Sequence, residues 1–171
     1  MAVTLRELNA MDQDAFVATI GHVFERSPWI AAEAWERRPF ASVDQLHEAL
    51  AAVMWDATPE QQLTLIRAHP DLAGKAAIAG ELTADSTREQ ASAGLDRLTP
   101  EEYARFTRLN TTYREQFGFP FIICVREHTK ASILAAFEER LAHGQQQERE
   151  TALSEIAKIV RLRLRDAVSD V

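Results

Sequence analysis

At Ser42, Thr58, Ser86 and Thr99 the sequence sets a Ser or Thr three residues ahead of a Glu or Gln at the mouth of an apolar stretch. These are Ser42-Val43-Asp44-Gln45, Thr58-Pro59-Glu60-Gln61, Ser86-Thr87-Arg88-Glu89 and Thr99-Pro100-Glu101-Glu102. Each has the form of a capping box, in which two side chains satisfy backbone N–H groups that a helix start leaves over. Proline at the first helical position, present in two of them, has no N–H to satisfy and a φ already suited to the helix. A chain punctuated this way is built from helices with definite starts, and the apolar spacing between the boxes agrees. Phe16, Ile20, Val23 and Phe24 form one stripe behind Asp12, and a short segment with Trp29 and Trp35 follows Ser27-Pro28 and stops before Pro39. Leu46, Leu50, Val53 and Met54 point inward behind the first box, Leu63 and Ile66 behind the second. The helix from Thr58 should end at His69, because the residue before Pro70 is pushed out of helical geometry.

The Thr99 box opens a long helix with Tyr103, Phe106, Leu109, Tyr113 and Phe117 on one face, closed by Gly118. Phe119-Pro120-Phe121-Ile122-Ile123-Cys124-Val125 is the one strand-like segment. A lone strand has no partner, so 119–125 reads as a buried extended connector whose backbone groups must find partners or face a ligand. Thr129 caps a helix carrying Ile133, Leu134, Phe137 and Leu141 that ends at Gly144, and a last helix runs from about Glu148 to Ala167. The expected linkers are the Gly/Ala-rich stretch from Ala73 to Ala84 and the Gln145-Gln147 run. The predicted fold is all-α: one domain over residues 1–171, a bundle of about eight helices with one buried connector.

With 171 residues, 46% of them hydrophobic, the chain is long enough to bury roughly 70% of its unfolded surface. No apolar run approaches the roughly 20 residues of a membrane span, and the N-terminus lacks the basic-then-apolar order of a signal peptide. The final Ser169-Asp170-Val171 is no peroxisomal address, so the expected location is cytoplasmic. The single cysteine, Cys124, excludes an internal disulfide, and no Cys/His spacing suggests a metal. A net charge of -7 argues against a nucleic-acid partner and leaves room for a small anion held by local positive groups.

Several residues stand out against plainer roles. His69 near a helix end meets the negative pole of the helix dipole, which is reason enough for a histidine there. Held by the following proline, it is also rigidly aimed, and imidazole titrates near neutral pH. Asp71 either orients that imidazole or begins the next turn, the second being the simpler reading. Ser86 and Glu89 are explained by capping, yet a helix start also offers amides to a carboxylate. Gln90 beside them is a two-way hydrogen-bonding amide with no role evident. Cys124 reads as a small buried hydrophobe. His22, His47, His128 and His143 share no metal-binding spacing and receive no role. In the last helix, with Leu153 at zero, Arg161 and Arg165 fall at about 80° and 120° and read as surface charges, while Arg163 falls at about 280°. Arg163 thus lies inside the apolar arc of Ile156, Ile159, Val160 and Leu164, where it either snorkels outward or meets a buried anion. The buried anion is the expectation.

Six blocks in order carry a resemblance: SPW at 27–29, RPF at 38–40, HPDLAGK at 69–75, STREQASAGLD at 86–96, LNTTYREQFGFPFIICVR at 109–126 and EIAKIVRLRL at 155–164. Together they resemble the 2-oxo-4-hydroxy-4-carboxy-5-ureidoimidazoline (OHCU) decarboxylases of urate breakdown, over nearly the whole chain. The resemblance implies an all-helical protein, often a homodimer, that converts OHCU to (S)-allantoin and CO2 without a cofactor or metal. It implies His69 as catalytic acid/base and Glu89 as its acidic companion. It also implies substrate contacts from Pro70, from Ser86, Thr87, Arg88 and Gln90, from Phe121, Ile122, Ile123, Cys124 and Val125, and from Arg163. His-Pro-Asp is also the signature of J-domain co-chaperones, but PEQQLTLIRA before it has one positive charge where that reading needs a basic helix face. A generic helical dimerisation module leaves an arginine in an apolar arc without a purpose.

Overall fold

The computed structural model describes residues 2–74, 77 and 79–171, and nine α-helices are defined among the described residues. Lys75 of the HPDLAGK block, and part of the linker expected from Ala73 to Ala84, lie outside them. The helices are α1 Leu5–Ala10, α2 Gln13–Ile20, α3 Trp29–Ala34, α4 Val43–Asp56, α5 Pro59–Arg67, α6 Ala84–Ser92, α7 Pro100–Phe117, α8 Lys130–Arg140 and α9 Gln145–Ala167. Two-residue strands β1 Val3–Thr4 and β2 Val168–Ser169 pair in parallel, a pairing too short to leave a periodic trace in sequence. None of the described helices is long and apolar enough to cross a membrane.

The caps are largely where the sequence puts them. Thr58 and Thr99 form complete capping boxes with Gln61 and Glu102, each with proline just inside. Ser42 accepts from the Gln45 N–H, while the Gln45 side chain reaches the N–H of Ala41 instead of Ser42. Gly118 closes α7 in the left-handed conformation, φ 78°. α1 has no counterpart among the expected helices, and α8 ends at Arg140 with Leu141 as its cap, short of Gly144. Three more boundaries differ. α6 begins at Ala84 behind Thr83, whose hydroxyl accepts from the Ser86 N–H, so Ser86 sits inside the first turn and is not the cap. α9 begins at Gln145, so the polar Gln145-Gln147 run is its first turn and not a linker. Glutamine is a good helix former, and the Gln145 amide donates to the Phe117 carbonyl at 2.8 Å. α5 ends at Arg67 with Ala68 as its cap, one residue short of His69.

The chain gathers into two compact units, one comprising the chain up to Ala68 with Ala157–Val171, the other His69–Ile156. In the first, α3 packs against α2 and α4, and Leu8, Phe16, Ile20, Ile30, Leu46, Leu50, Met54 and Ile66 are fully buried. The RPF block fastens this unit. The Arg38 guanidinium lies 4.0 Å above the Trp35 ring and donates to the carbonyls of Asn9 (2.8 Å) and Met11 (3.0 Å). The Asn9 amide exchanges two hydrogen bonds with the backbone of Phe40.

The second unit is built around aromatic rings. Phe121 stacks on Phe137 with centroids 3.7 Å apart, and Tyr113 meets Phe121 edge-on. Beside them Glu148, with no exposed surface, accepts from the Tyr113 hydroxyl at 2.5 Å and Arg140 Nε at 2.7 Å. His143 Nδ1 lies 2.9 Å from its other oxygen. Burial, then the bond to Glu148, push the Tyr113 phenol well above the ordinary range.

Candidate active site

α5 runs out just before Pro70, and His69 follows its cap with only 6% of its surface exposed. Three of the four residues after it, Asp71, Leu72 and Ala73, are held from two helices. The Gln90 amide of α6 donates to the Asp71 carbonyl at 3.3 Å and accepts from the Ala73 N–H at 2.9 Å. From α7, Asn110 donates to the Leu72 carbonyl at 2.8 Å and Arg114 Nε to the Asp71 carboxylate at 2.9 Å. Asp71 is therefore a loop anchor through Arg114. The loop turns through Ala73 at φ 52°, a left-handed conformation unusual for a residue with a Cβ. A short turn cross-braced by three side chains fixes the backbone next to His69. Cavities of about 300 Å³, reached by Pro70, Asp71, Asn110 and Arg114, and about 520 Å³, reached by Ala73, Thr87 and Gln90, flank this turn.

On α6 the helical period divides the 86–90 block by face. Ser86 and Gln90 are buried and Glu89 half-buried on one side, while Thr87 and Arg88 are exposed. Arg88, with 68% of its side chain open, pairs with Asp85 in the first turn. The amide site expected at a helix start beginning with Ser86 is displaced. The Ser86 N–H is taken by Thr83, and the Thr87 N–H bonds to the Thr83 carbonyl.

α6 also packs against the turn Val125–Glu127, which closes the connector. Residues 121–124 are buried and belong to no helix or strand, whereas Val125 already belongs to a 3-10 turn. Several connector groups are satisfied internally. The Ile122 carbonyl accepts from Arg140 Nη1 at 2.6 Å, the Cys124 N–H donates to Glu155 Oε1 at 3.1 Å, and the Cys124 carbonyl accepts from the Glu127 N–H. Cys124 is buried, as a small hydrophobe would be. Within this unit the His69 turn is joined through Gln90 to α6, and α6 through its packing to the end of the connector.

Arg163 belongs to the other unit. It is 3% exposed and meets a buried anion, Glu25, at 3.1 Å, while also donating to the Val23 carbonyl at 3.3 Å. Arg161 and Arg165 are exposed, near Asp44. His47 lies 2.8 Å from the Ala157 carbonyl and His128 2.9 Å from the Ser132 hydroxyl, which accounts for both without chemistry. Sequence reasoning passed over Arg140, Glu148, Glu155 and Glu25. A trace of two existed, since on the wheel that singles out Arg163, Glu148 and Glu155 fall near the same arc, at about 220° and 200°.

A profile of the family described as OHCU decarboxylase matches residues 9–165. A 2-oxo-4-hydroxy-4-carboxy-5-ureidoimidazoline decarboxylase of Haloferax volcanii is 46% identical over 98% of this chain and 97% of its own length. One from Halalkalicoccus jeotgali is 45% identical over 96% and 91%. The crystal structure of (S)-allantoin synthase superposes with a TM-score of 0.76 at 31% identity, covering 98% of this chain and 54% of that one. With the match running across both compact units, the chain belongs to the OHCU decarboxylase family.

Proposed function

We propose that this protein decarboxylates OHCU to (S)-allantoin and CO2 in the cytoplasm, with His69 as acid/base and Glu89 as its acidic companion. The observation that carries the residue assignment is the bracing of the His69 turn by Gln90, Asn110 and Arg114. A histidine needed only to meet a helix dipole has no use for three side chains holding the next residues, whereas an acid/base group must be aimed to a fraction of an ångström. Glu89 is half-buried on the α6 face that also carries Gln90.

The substrate supplies its own electron sink. The carbon bearing the carboxylate also bears a hydroxyl and adjoins a ring C=N bond. When its bond to CO2 breaks, the electron pair becomes a new C=C bond and the C=N pair moves to nitrogen, which takes a proton. The resulting enol gives up its hydroxyl proton to form the ketone, while the neighbouring carbon takes a proton on one face, setting the S configuration. One proton is consumed overall. His69 exchanges a proton with the hydroxyl or developing enolate, and Glu89 holds or relays another. Pro70, Ser86, Gln90 and the 121–125 connector contact the ring and exclude water. The protein works as a homodimer, a reading that light scattering checks directly.

The experiment is a chiral assay with freshly generated OHCU. Wild-type protein is expected to give (S)-allantoin above the spontaneous rate, and His69→Asn to lower turnover by about two orders of magnitude. Racemic product at the spontaneous rate with wild-type protein sinks the activity, and an unaltered rate in His69→Asn sinks the role of the histidine.

A further inference from the structure

We propose that the cavity of about 300 Å³ between the 70–74 turn and α7 is a second ligand site, which takes a small neutral ureide such as (S)-allantoin. That the occupant is the reaction's own product rests on the activity proposed above. That it is a ureide rests on the walls.

The α7 wall is a polar stripe. Thr107, Asn110, Thr111 and Arg114 stand at the spacing of one helix face and line the cavity together. Asp71 lines it from the turn, and Pro70 is the one substrate-contacting residue among its described walls. Asn110 is the strongest sign of a ligand. It is 5% exposed, its Nδ2 donates to the Leu72 carbonyl, and its buried Oδ1 meets no donor among the described residues. A buried acceptor left this way costs about 1–3 kcal/mol, which a donor in the cavity offsets. The threonines agree. Thr19, Thr64 and Thr87 turn their hydroxyls back on the carbonyl four residues earlier, whereas those of Thr107 and Thr111 make no such bond.

Arg114 bonds to Asp71 through Nε, and its two Nη groups have no partner among the described residues. The pair is charge-balanced, so an anion gains little from this wall. A neutral molecule with an N–H group on either side of a carbonyl gains most. In a ureide the N–H groups donate to Asn110 Oδ1 and the Asp71 carboxylate, and the carbonyl accepts from Arg114. A volume of about 300 Å³ lies at the small end of small-molecule pockets and suits such a compound.

The probes are methylurea and (S)-allantoin, with acetate as a small anionic control. In 15N-labelled protein each ureide should move the Asn110 side-chain amide NMR signal along a saturable curve, and acetate should leave it in place. Thr107→Trp fills the cavity from its exposed edge without touching the bond from Asn110 to Leu72. It should weaken both ureides by about tenfold or more, because the volume they occupy is gone. Its KM and kcat should stay within about twofold of the parent, since Thr107 has no part in the substrate site. Unchanged ureide affinity in Thr107→Trp means that Asn110 is reporting on the substrate site, and it overturns the proposal. An equal response to acetate overturns the ureide assignment. Should Thr107→Trp not fold, Thr111→Leu narrows the same stripe and should weaken both ureides by a smaller factor, and parental affinity there overturns the proposal. The titrations need no turnover, so they are independent of the activity. If no (S)-allantoin is formed, the activity falls while the methylurea curve still decides the site. If methylurea leaves the Asn110 signal unmoved or moves it without saturation, water alone meets Oδ1 and the site falls, whatever the activity.

Discussion

Ala73 holds a left-handed backbone, φ 52°, three residues after Pro70. For a residue with a Cβ that conformation costs about 1–2 kcal/mol, which glycine avoids while adding about 0.4–1 kcal/mol of unfolded-state entropy. The Ala73 methyl is buried, and its loss costs about 0.8 kcal/mol more, so Ala73→Gly should leave Tm within about 3 °C of the parent by calorimetry. Turnover should stay within about twofold, because Gln90, Asn110 and Arg114 still hold the turn. A fall well beyond that contradicts the strain. Gln90→Met should destabilise the protein, leaving the Ala73 N–H and Asp71 carbonyl without their amide and costing about 1–3 kcal/mol in urea unfolding. The contrast marks what is legible at this scale. Pro70 announces the fixed histidine because a residue and its neighbour suffice. Gln90 passes for a surface residue because its partners lie 17 and 19 positions away, and Asn110 meets Leu72 across 38.

Helix starts obey a local code, so most were readable, and the failure at α6 is instructive. Ser86 and Glu89 match the capping-box spacing, but Thr83 lies one turn earlier with Asp85 behind it, and the helix takes the first good cap it meets. Thr83→Ala should cost about 1 kcal/mol by chemical denaturation, the usual worth of a hydroxyl N-cap. At α7 the box has a pH signature. The backbone N–H of Thr99, then Lys130, hold the Glu102 carboxyl below its ordinary pKa. A group depressed in the folded state stabilises above its unfolded pKa and loses that contribution as pH falls through the folded one. The start of α7 should thus loosen below the ordinary carboxylate range, and Glu102→Gln should remove that acid dependence, as amide hydrogen exchange across 100–104 would record. Three of the departures, the α6 start, the Gln145-led turn of α9 and the β1–β2 pair, share a cause. Each depends on a partner that lies outside a short window, or on a choice between two adequate local signals.

The all-helical architecture follows from periodicity, but the grouping of helices into two units does not, since an apolar stripe does not say which stripe it meets. α9 runs unbroken from Gln145 to Ala167 and contributes to both units, which divide between Ile156 and Ala157. We propose that residues 1–171 unfold as a single domain because this helix cannot melt halfway without giving up buried residues such as Ile156 and Val160. Natural probes separate the units. All three tryptophans, Trp29, Trp35 and Trp55, precede Ala68, and both tyrosines, Tyr103 and Tyr113, lie between His69 and Ile156. Urea transitions followed by tryptophan fluorescence and by tyrosine absorbance should coincide. Ala157→Pro, which breaks the helix at the division, should pull them apart. Alkaline titration makes the same test from the other end. Burial and Glu148 raise the folded pKa of Tyr113, so its contribution to stability is complete below the ordinary phenol pKa and is lost as pH rises toward the folded one. Tyr113 should thus ionise only as its unit opens, and tryptophan fluorescence from the other unit should change at that same pH. A second tyrosine step well before any tryptophan change would show that the unit containing His69 opens alone, and the single-domain reading would fall.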